Sequence, residues 1–179
     1  IFGVLDAELV RRIPLDGSEM PLRTGDGTPS GLSVRPVALD GKVPLWMEGR
    51  AEAAAAPIGL ILRDAAGRRL AFLPSCRDVT DELREAVADA DLLLFDGTLW
   101  HDEELIATGT GWKTGRRMGH ISVSGPQGAL AAWADVPVGR KVFIHLNNTN
   151  PLLLENSPER QVAAEHGWSV ARDGDEHRL

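Results

Sequence analysis

Residues 89–100 read DADLLLFDGTLW, and at their centre DLLLFDG (91–97) is a continuous apolar run closed by Asp-Gly. A strand with one face in water alternates apolar and polar residues. A short run without alternation is the mark of a strand covered on both faces. KVFIHL (141–146) is a second such run, and WSVAR (168–172) closes the chain as a third strand. Helical segments are expected before and between them. Thr80 reads as an N-cap ahead of Asp81 and Glu82, with Val79, Leu83 and Val87 as the apolar stripe. PQGALAAWA (126–134) reads as a second helix, and Ser157-Pro158-Glu159 starts a third that Gly167 ends. Helix and strand thus alternate from residue 80 onward, which predicts an α/β layered protein.

The first half is mainly strands. PIGLILRD, AAGR and RLAFLPS (57–75) form a strand, a Gly-containing turn and a strand, hence a hairpin. IPLD, GLSVRPVAL and KVPLWM, between residues 13 and 47, carry prolines 14, 21, 29, 36 and 44, which suit edge strands and turns. EGRAEAAAA (48–56) has helical propensity but sits between strands. Ile1, Leu5, Leu9 and Ile13 recur at helical spacing, so residues 1–11 read as a helix. With no initiator Met and no signal-peptide pattern, the chain reads as one entered partway through a fold.

Composition narrows the function class. At 179 residues with 43% hydrophobic and 25% charged residues, the chain can build a core without disulfides or a structural metal. Its single cysteine, Cys76, excludes an internal disulfide or a Cys-rich zinc site and suits a reducing cytoplasm. A net charge of −7, with only KTGRR (113–117) as a local basic patch, argues against nucleic acid as a partner. No window is long and apolar enough for a membrane span.

Three polar clusters follow strands, where open α/β sheets place their sites. Asp96-Gly97-Thr98 is either a plain turn or a carboxylate at the sheet edge, able to bind a metal or orient a histidine. TGRRMGHIS (114–122) brings His120, with Arg116 and Arg117 as potential carboxylate clamps and Gly115 and Gly119 for close approach to a ligand. HLNNTNP (145–151) ends a buried strand in His145 and adds Asn147, Asn148 and Asn150. Asparagine favours turns, so these three serve loop shape or substrate. One aspartate and two histidines from separate loops suit Fe(II), Zn(II) or Mn(II). His101 reads as part of the exposed start of a short helix, His166 as a cap, and Cys76 as a packing residue. Walker A, G-x-S-x-G, G-x-G-x-x-G and H-E-x-x-H patterns are absent.

DADLLLFDGTLWHDEEL (89–105), TGRRMGHISVSGP (114–126), KVFIHLNNTNPLL (141–153) and NSPERQ (156–161) occur in one order with short separations. Together they closely resemble the coenzyme PQQ synthesis protein B family, a branch of the metallo-β-lactamase fold. The resemblance spans essentially the whole chain. It implies that residues 1–179 are the C-terminal portion of a single αβ/βα sandwich domain. The missing N-terminal part would carry a structural zinc and most active-site metal ligands.

The implied role is synthesis of pyrroloquinoline quinone (PQQ), through iron- and O₂-dependent hydroxylation of the tyrosine ring in a Glu–Tyr-derived precursor. By the same resemblance His145 is the metal ligand and His120 and Asp96 are catalytic. By their side-chain chemistry Arg116 and Arg117 are expected to hold substrate carboxylates, and Asn147, Asn148 and Asn150 to supply donors and acceptors to the substrate or shape the loop. Fe(II) is the expected cofactor, with other divalent metals admissible. Near LAFLPSC the chain offers Pro74, Ser75 and Cys76, with no bridging carboxylate. That favours a mononuclear site over hydrolytic two-metal chemistry. The competing implication is a carrier that binds PQQ or its precursor for export without turnover. The expected location is the cytoplasm. A sheet edge left open by the missing part predicts self-association into a homo-oligomer.

Overall fold

The computed structural model describes residues 13–42 and 57–179. The helix expected at 1–11 and the segments KVPLWM and EGRAEAAAA lie wholly or almost wholly outside those residues.

The described residues form one seven-stranded sheet whose strand order follows chain order. Strands β1 (Met20–Arg23), β2 (Pro29–Ala38), β3 (Ile58–Asp64) and β4 (Arg69–Leu73) make an antiparallel meander. Strands β5 (Ala90–Asp96), β6 (Val138–Ile144) and β7 (Trp168–Val170) then add in parallel to β4. Parallel neighbours need crossovers. These run through α1 (Asp81–Val87), the short α2 (Glu104–Ala107), α3 (Gly115–Met118) and α4 (Ala129–Ala132), and finally α5 (Pro158–Glu165).

The expected start signals hold. Leu83 N–H donates to Thr80 Oγ1 at 3.2 Å, and Arg160 N–H to Ser157 Oγ at 3.1 Å. The hairpin at 57–75 is present as β3 and β4. The helix expected at 126–134 shrinks to Ala129–Ala132, because Gly128 and the Pro126 turn take its first half. IPLD forms no strand. The strand expected to run through Leu146 stops at Ile144, since His145 turns to φ +57°.

β2 carries Pro29 and Pro36 although it has neighbours on both sides. Pairing with β1 ends at Val34, so at Pro36 that edge of β2 is open among the described residues. A missing N–H costs least there.

One face of the sheet bears the core. Across four parallel strands, Leu73, Phe95, Phe143 and Val170 align in register, and all are buried. Trp133, at the end of α4, meets Phe95 edge-on with ring centroids 5.3 Å apart, and Trp168 stacks on Phe143 at 4.0 Å. Each large aromatic pair adds about 0.5–1.5 kcal/mol beyond its burial. The β5 run is central, as its composition requires: Leu92, Leu93 and Phe95 have no exposed surface. This rigid centre fixes where Asp96 and His145 emerge.

Candidate metal centre

β5 and β6 pair in parallel up to Asp96 opposite Ile144, so both chains leave the sheet at the same edge. Gly97 lets them do so side by side. A Cβ there would sit 2.8 Å from Phe143 Cβ and 3.2 Å from the Ile144 carbonyl oxygen. Gly97 N–H instead donates to that carbonyl at 2.8 Å. The Asp-Gly pair therefore serves close approach of two strands, beyond the turn chemistry its composition suggests.

Asp96 is fully buried and is the hub. Its Oδ2 accepts from Cys76 N–H at 2.9 Å and lies 2.7 Å from His120 Nδ1. Its Oδ1 accepts from Thr98 N–H at 3.1 Å and Thr98 Oγ1 at 2.6 Å, and lies 3.7 Å from His145 Nδ1. Burial pushes the carboxyl upward. The hydrogen bond from His120, the nearby His145 imidazole, the His120 charge and the Thr98 hydroxyl outweigh it, so Asp96 stays below the ordinary carboxylate value. It is an anion at neutral pH.

His120 arrives from the loop after α3. Its backbone is pinned by His120 N–H to Gly115 O at 2.9 Å and Ile121 N–H to Cys76 O at 2.6 Å. Gly119, just before it, has φ +97° and packs its Cα against the Lys42 backbone, where a Cβ would lie 2.7 Å from Lys42 N. That glycine accommodates the chain itself; a ligand was the expectation.

His145 adopts the left-handed region, which costs a residue with a Cβ on the order of 1 kcal/mol. The turn is held by Asn147 N–H donating to Thr98 O at 3.0 Å. Its imidazole is half exposed, 5.3 Å from the His120 ring. The Asp96 carboxylate, 3.7 Å from its Nδ1, raises its proton affinity above the ordinary histidine value, against the pull of desolvation.

Asp96, His120 and His145 thus converge, each offering a ligand atom within 4.8 Å of the others. Among the described residues this is the one cluster of at least three such groups with metal-holding geometry. A carboxylate and two imidazoles suit a divalent first-row cation.

The residues expected to contact substrate lie outside this three-residue cluster. Asn150 is 2% exposed, and its amide donates to Gly97 O at 2.7 Å and Thr98 O at 3.3 Å while its Oδ1 accepts from Leu152 N–H at 2.9 Å. It caps the 3₁₀ turn at Pro151–Leu153 and ties the two site loops together, with no polar atom left for a substrate. Asn147 donates to Thr149 Oγ1 at 2.6 Å, and Asn148 is exposed. The Arg116 guanidinium is paired with Asp78, and Arg117 lies over Trp112.

Two participants were not singled out from sequence. Thr98 touches Asp96 and both histidines, and Ser/Thr after Asp-Gly reads only as turn chemistry. Glu104 closes the charged run HDEE (101–104), which reads as the exposed start of a short helix, yet it is buried, accepting from Trp100 N–H at 2.6 Å and Thr149 Oγ1 at 2.5 Å. A cleft of about 750 Å³ opens beside it, lined by Trp100, His101, Thr149 and Pro151 among others.

Comparison with known proteins places the fold and its relatives. The Beta-lactamase superfamily domain matches residues 4–146. The chain belongs to the β-lactamase superfamily. Within that superfamily it is 49% identical, over 97% of its length, to Coenzyme PQQ synthesis protein B of Gluconacetobacter diazotrophicus, and 44% identical, over 100%, to that of Gluconobacter oxydans. It spans 58% and 59% of those relatives' lengths. The crystal structure of Zn(2+)-bound PqqB from Methylobacterium extorquens superposes with a TM-score of 0.78 at 46% identity, covering 83% of this chain and 51% of that one. The metallo-beta-lactamase fold protein YhfI from Bacillus subtilis superposes at 0.58 with 13% identity, covering 94% and 58%, which shows the fold alone. The metallo-β-lactamase fold and the resemblance read from residues 89–161 both hold.

Proposed function

We propose that this chain takes part in pyrroloquinoline quinone biosynthesis, as part of an iron-dependent oxygenase that hydroxylates the tyrosine ring of a Glu–Tyr-derived precursor. The observation that carries the reading is buried Asp96 paired with His120 beside the half-exposed His145, in a chain 44–49% identical to two coenzyme PQQ synthesis proteins. The donor set fits a divalent metal: imidazole nitrogens from His120 and His145, with the Asp96 carboxylate as third ligand or as the group that orients them. Fe(II), when bound, supplies the redox chemistry that activates O₂ for ring hydroxylation.

The chain's own residues supply the surroundings. Asp96 holds His120 in a fixed orientation through Nδ1, which leaves its Nε2 to serve the centre. Asn148, exposed three residues after His145, and Arg117, exposed on α3 with its guanidinium over Trp112, are the groups assigned to a substrate amide or carboxylate. Arg116 joins them only by leaving Asp78. Cys76, at the end of the β4 turn, brings no carboxylate to the cluster and supports a mononuclear site.

The test is oxygen uptake by the Fe(II)-loaded chain with a Glu–Tyr dipeptide and a two-electron reductant such as ascorbate. One oxygen atom of each O₂ consumed enters the ring as hydroxyl, and the other leaves as water. Hydroxylated dipeptide formed in step with O₂ loss, and absent in His145→Ala, is the expected result. Saturable binding of PQQ with no oxygen consumed on any tyrosine substrate would instead establish the carrier.

A further inference from the structure

We infer that Thr98 is a positioning residue whose single hydroxyl sets the tautomer of His145, while Asp96 sets that of His120, so that both rings present an unprotonated Nε2. The inference deepens the metal-centre reading above and rests on it for its consequence, though not for its geometry.

Four acceptor or donor atoms surround Thr98 Oγ1: Asp96 Oδ1 at 2.6 Å, His145 Nδ1 at 2.9 Å, His120 Nδ1 at 3.1 Å and the His145 carbonyl oxygen at 3.1 Å. A hydroxyl has one proton to give and lone pairs to receive. The Asp96 contact is the shortest and is charge-assisted, so the proton goes there. Thr98 N–H donates to the same oxygen, which makes Asp96 Oδ1 a fixed anionic acceptor. With its proton committed, Oγ1 can only accept from His145 Nδ1, which therefore carries a hydrogen.

His120 is settled by the other carboxylate oxygen. Its Nδ1 lies 2.7 Å from Asp96 Oδ2, and an ionised carboxylate only accepts. His120 Nδ1 is therefore also protonated. Each ring, when neutral, then holds its lone pair at Nε2, the atom away from Asp96 and Thr98. In this arrangement Asp96 orients the two ligands from behind, as a carboxylate partner of metal-binding histidines commonly does. Thr98 is itself 8% exposed and is held by its own backbone, since Asn147 N–H and the Asn150 amide both donate to its carbonyl. Its hydroxyl is a built part of the site.

The experiment uses the metal-free chain first. Two-dimensional ¹⁵N–¹H spectra of the side-chain imidazoles, recorded above the histidine titration range, distinguish an Nδ1–H ring from an Nε2–H ring. The inference expects Nδ1–H for both His120 and His145 in the native chain. Thr98→Ser keeps that pattern, whereas Thr98→Val, of nearly equal volume, shifts His145 toward Nε2–H and leaves His120 as it is. Zn²⁺ affinity measured against a chromophoric chelator should fall about 10- to 100-fold in Thr98→Val and stay within about threefold in Thr98→Ser.

Native His145 found with its proton on Nε2 would overturn the inference without any variant. So would a Thr98→Val chain with an unchanged His145 tautomer, or a Thr98→Ser chain that loses as much affinity as Thr98→Val. Correct tautomers in a chain that binds no Zn²⁺ would sustain the role of Thr98 and refute the metal-centre reading instead.

Discussion

Replacing Asn150 by alanine separates loop architecture from substrate contact. The side chain sits fully inside and makes two short bonds, to Gly97 O at 2.7 Å and from Leu152 N–H at 2.9 Å, with a longer one to Thr98 O. Alanine leaves the Gly97 carbonyl and the Leu152 amide without these partners. Each buried polar group so stranded costs about 1–3 kcal/mol, and a lost cap alone costs about 1 kcal/mol. The expected destabilisation is about 3 kcal/mol. For a chain of this size each kcal/mol moves Tm by about 2–4 °C, so calorimetry should show a fall of about 6–12 °C. Asn150→Asp should not rescue it. The aspartate can still cap Leu152 but sets a negative oxygen against two carbonyls. Metal affinity should weaken as well, because the loops bearing Thr98 and His145 lose one of the ties between them, leaving Asn147 N–H to Thr98 O. A variant melting within a degree or two of the native chain while losing only substrate affinity would refute this account and return Asn150 to the substrate.

Other consequences follow from the same contacts. Burial first, then the charges of Asp96, Asp40 and Asp78, push the Cys76 thiol from 9.0 up to about 12. Native protein should therefore resist iodoacetamide at pH 8 and react only when unfolded. Because the folded value is raised, the associated stability is complete below about pH 9. It is lost as pH climbs toward 12, on the order of 4 kcal/mol in all, which urea titrations across that range would detect. Gly59→Ala places a Cβ 2.2 Å from Leu73 Cδ2 and 3.1 Å from Val37 Cγ2. Leu73 is fully buried, so overpacking should cost about 1–3 kcal/mol in a denaturant titration. Glu104→Ala frees both Trp100 N–H and the Thr149 hydroxyl and should cost about 2 kcal/mol by the same measurement.

The readable parts of this molecule are those where one local signal has one physical outcome. Unbroken apolarity in DLLLFDG can only be satisfied between two covered faces, and Ser157-Pro158 can only start a helix. The convergence of Asp96 and His145 is legible for a related reason: parallel strands deliver the residues at their carboxyl ends to a common edge, whereas His120 arrives from the loop after α3, which no strand pattern announces. What escaped depends on where neighbouring chain segments happen to pass. Asn150 has the composition of an exposed turn and is buried only because the β5 loop lies across it. Glu104 sits in a run of charge, HDEE, that reads as solvated, yet two donors from separate loops draw it inward. Thr98 carries no motif at all. Its importance lies in meeting three side chains brought together by β5, β6 and the loop after α3.

The central claim is that the ends of β5 and β6, with the His120 loop, form a usable metal site. Anaerobic equilibrium dialysis of this chain and its His145→Ala variant against Fe(II), followed by metal analysis, tests it directly. The account predicts about one iron per native chain and loss of most of it in the variant. Equal retention by both proteins, or none in either, would contradict it.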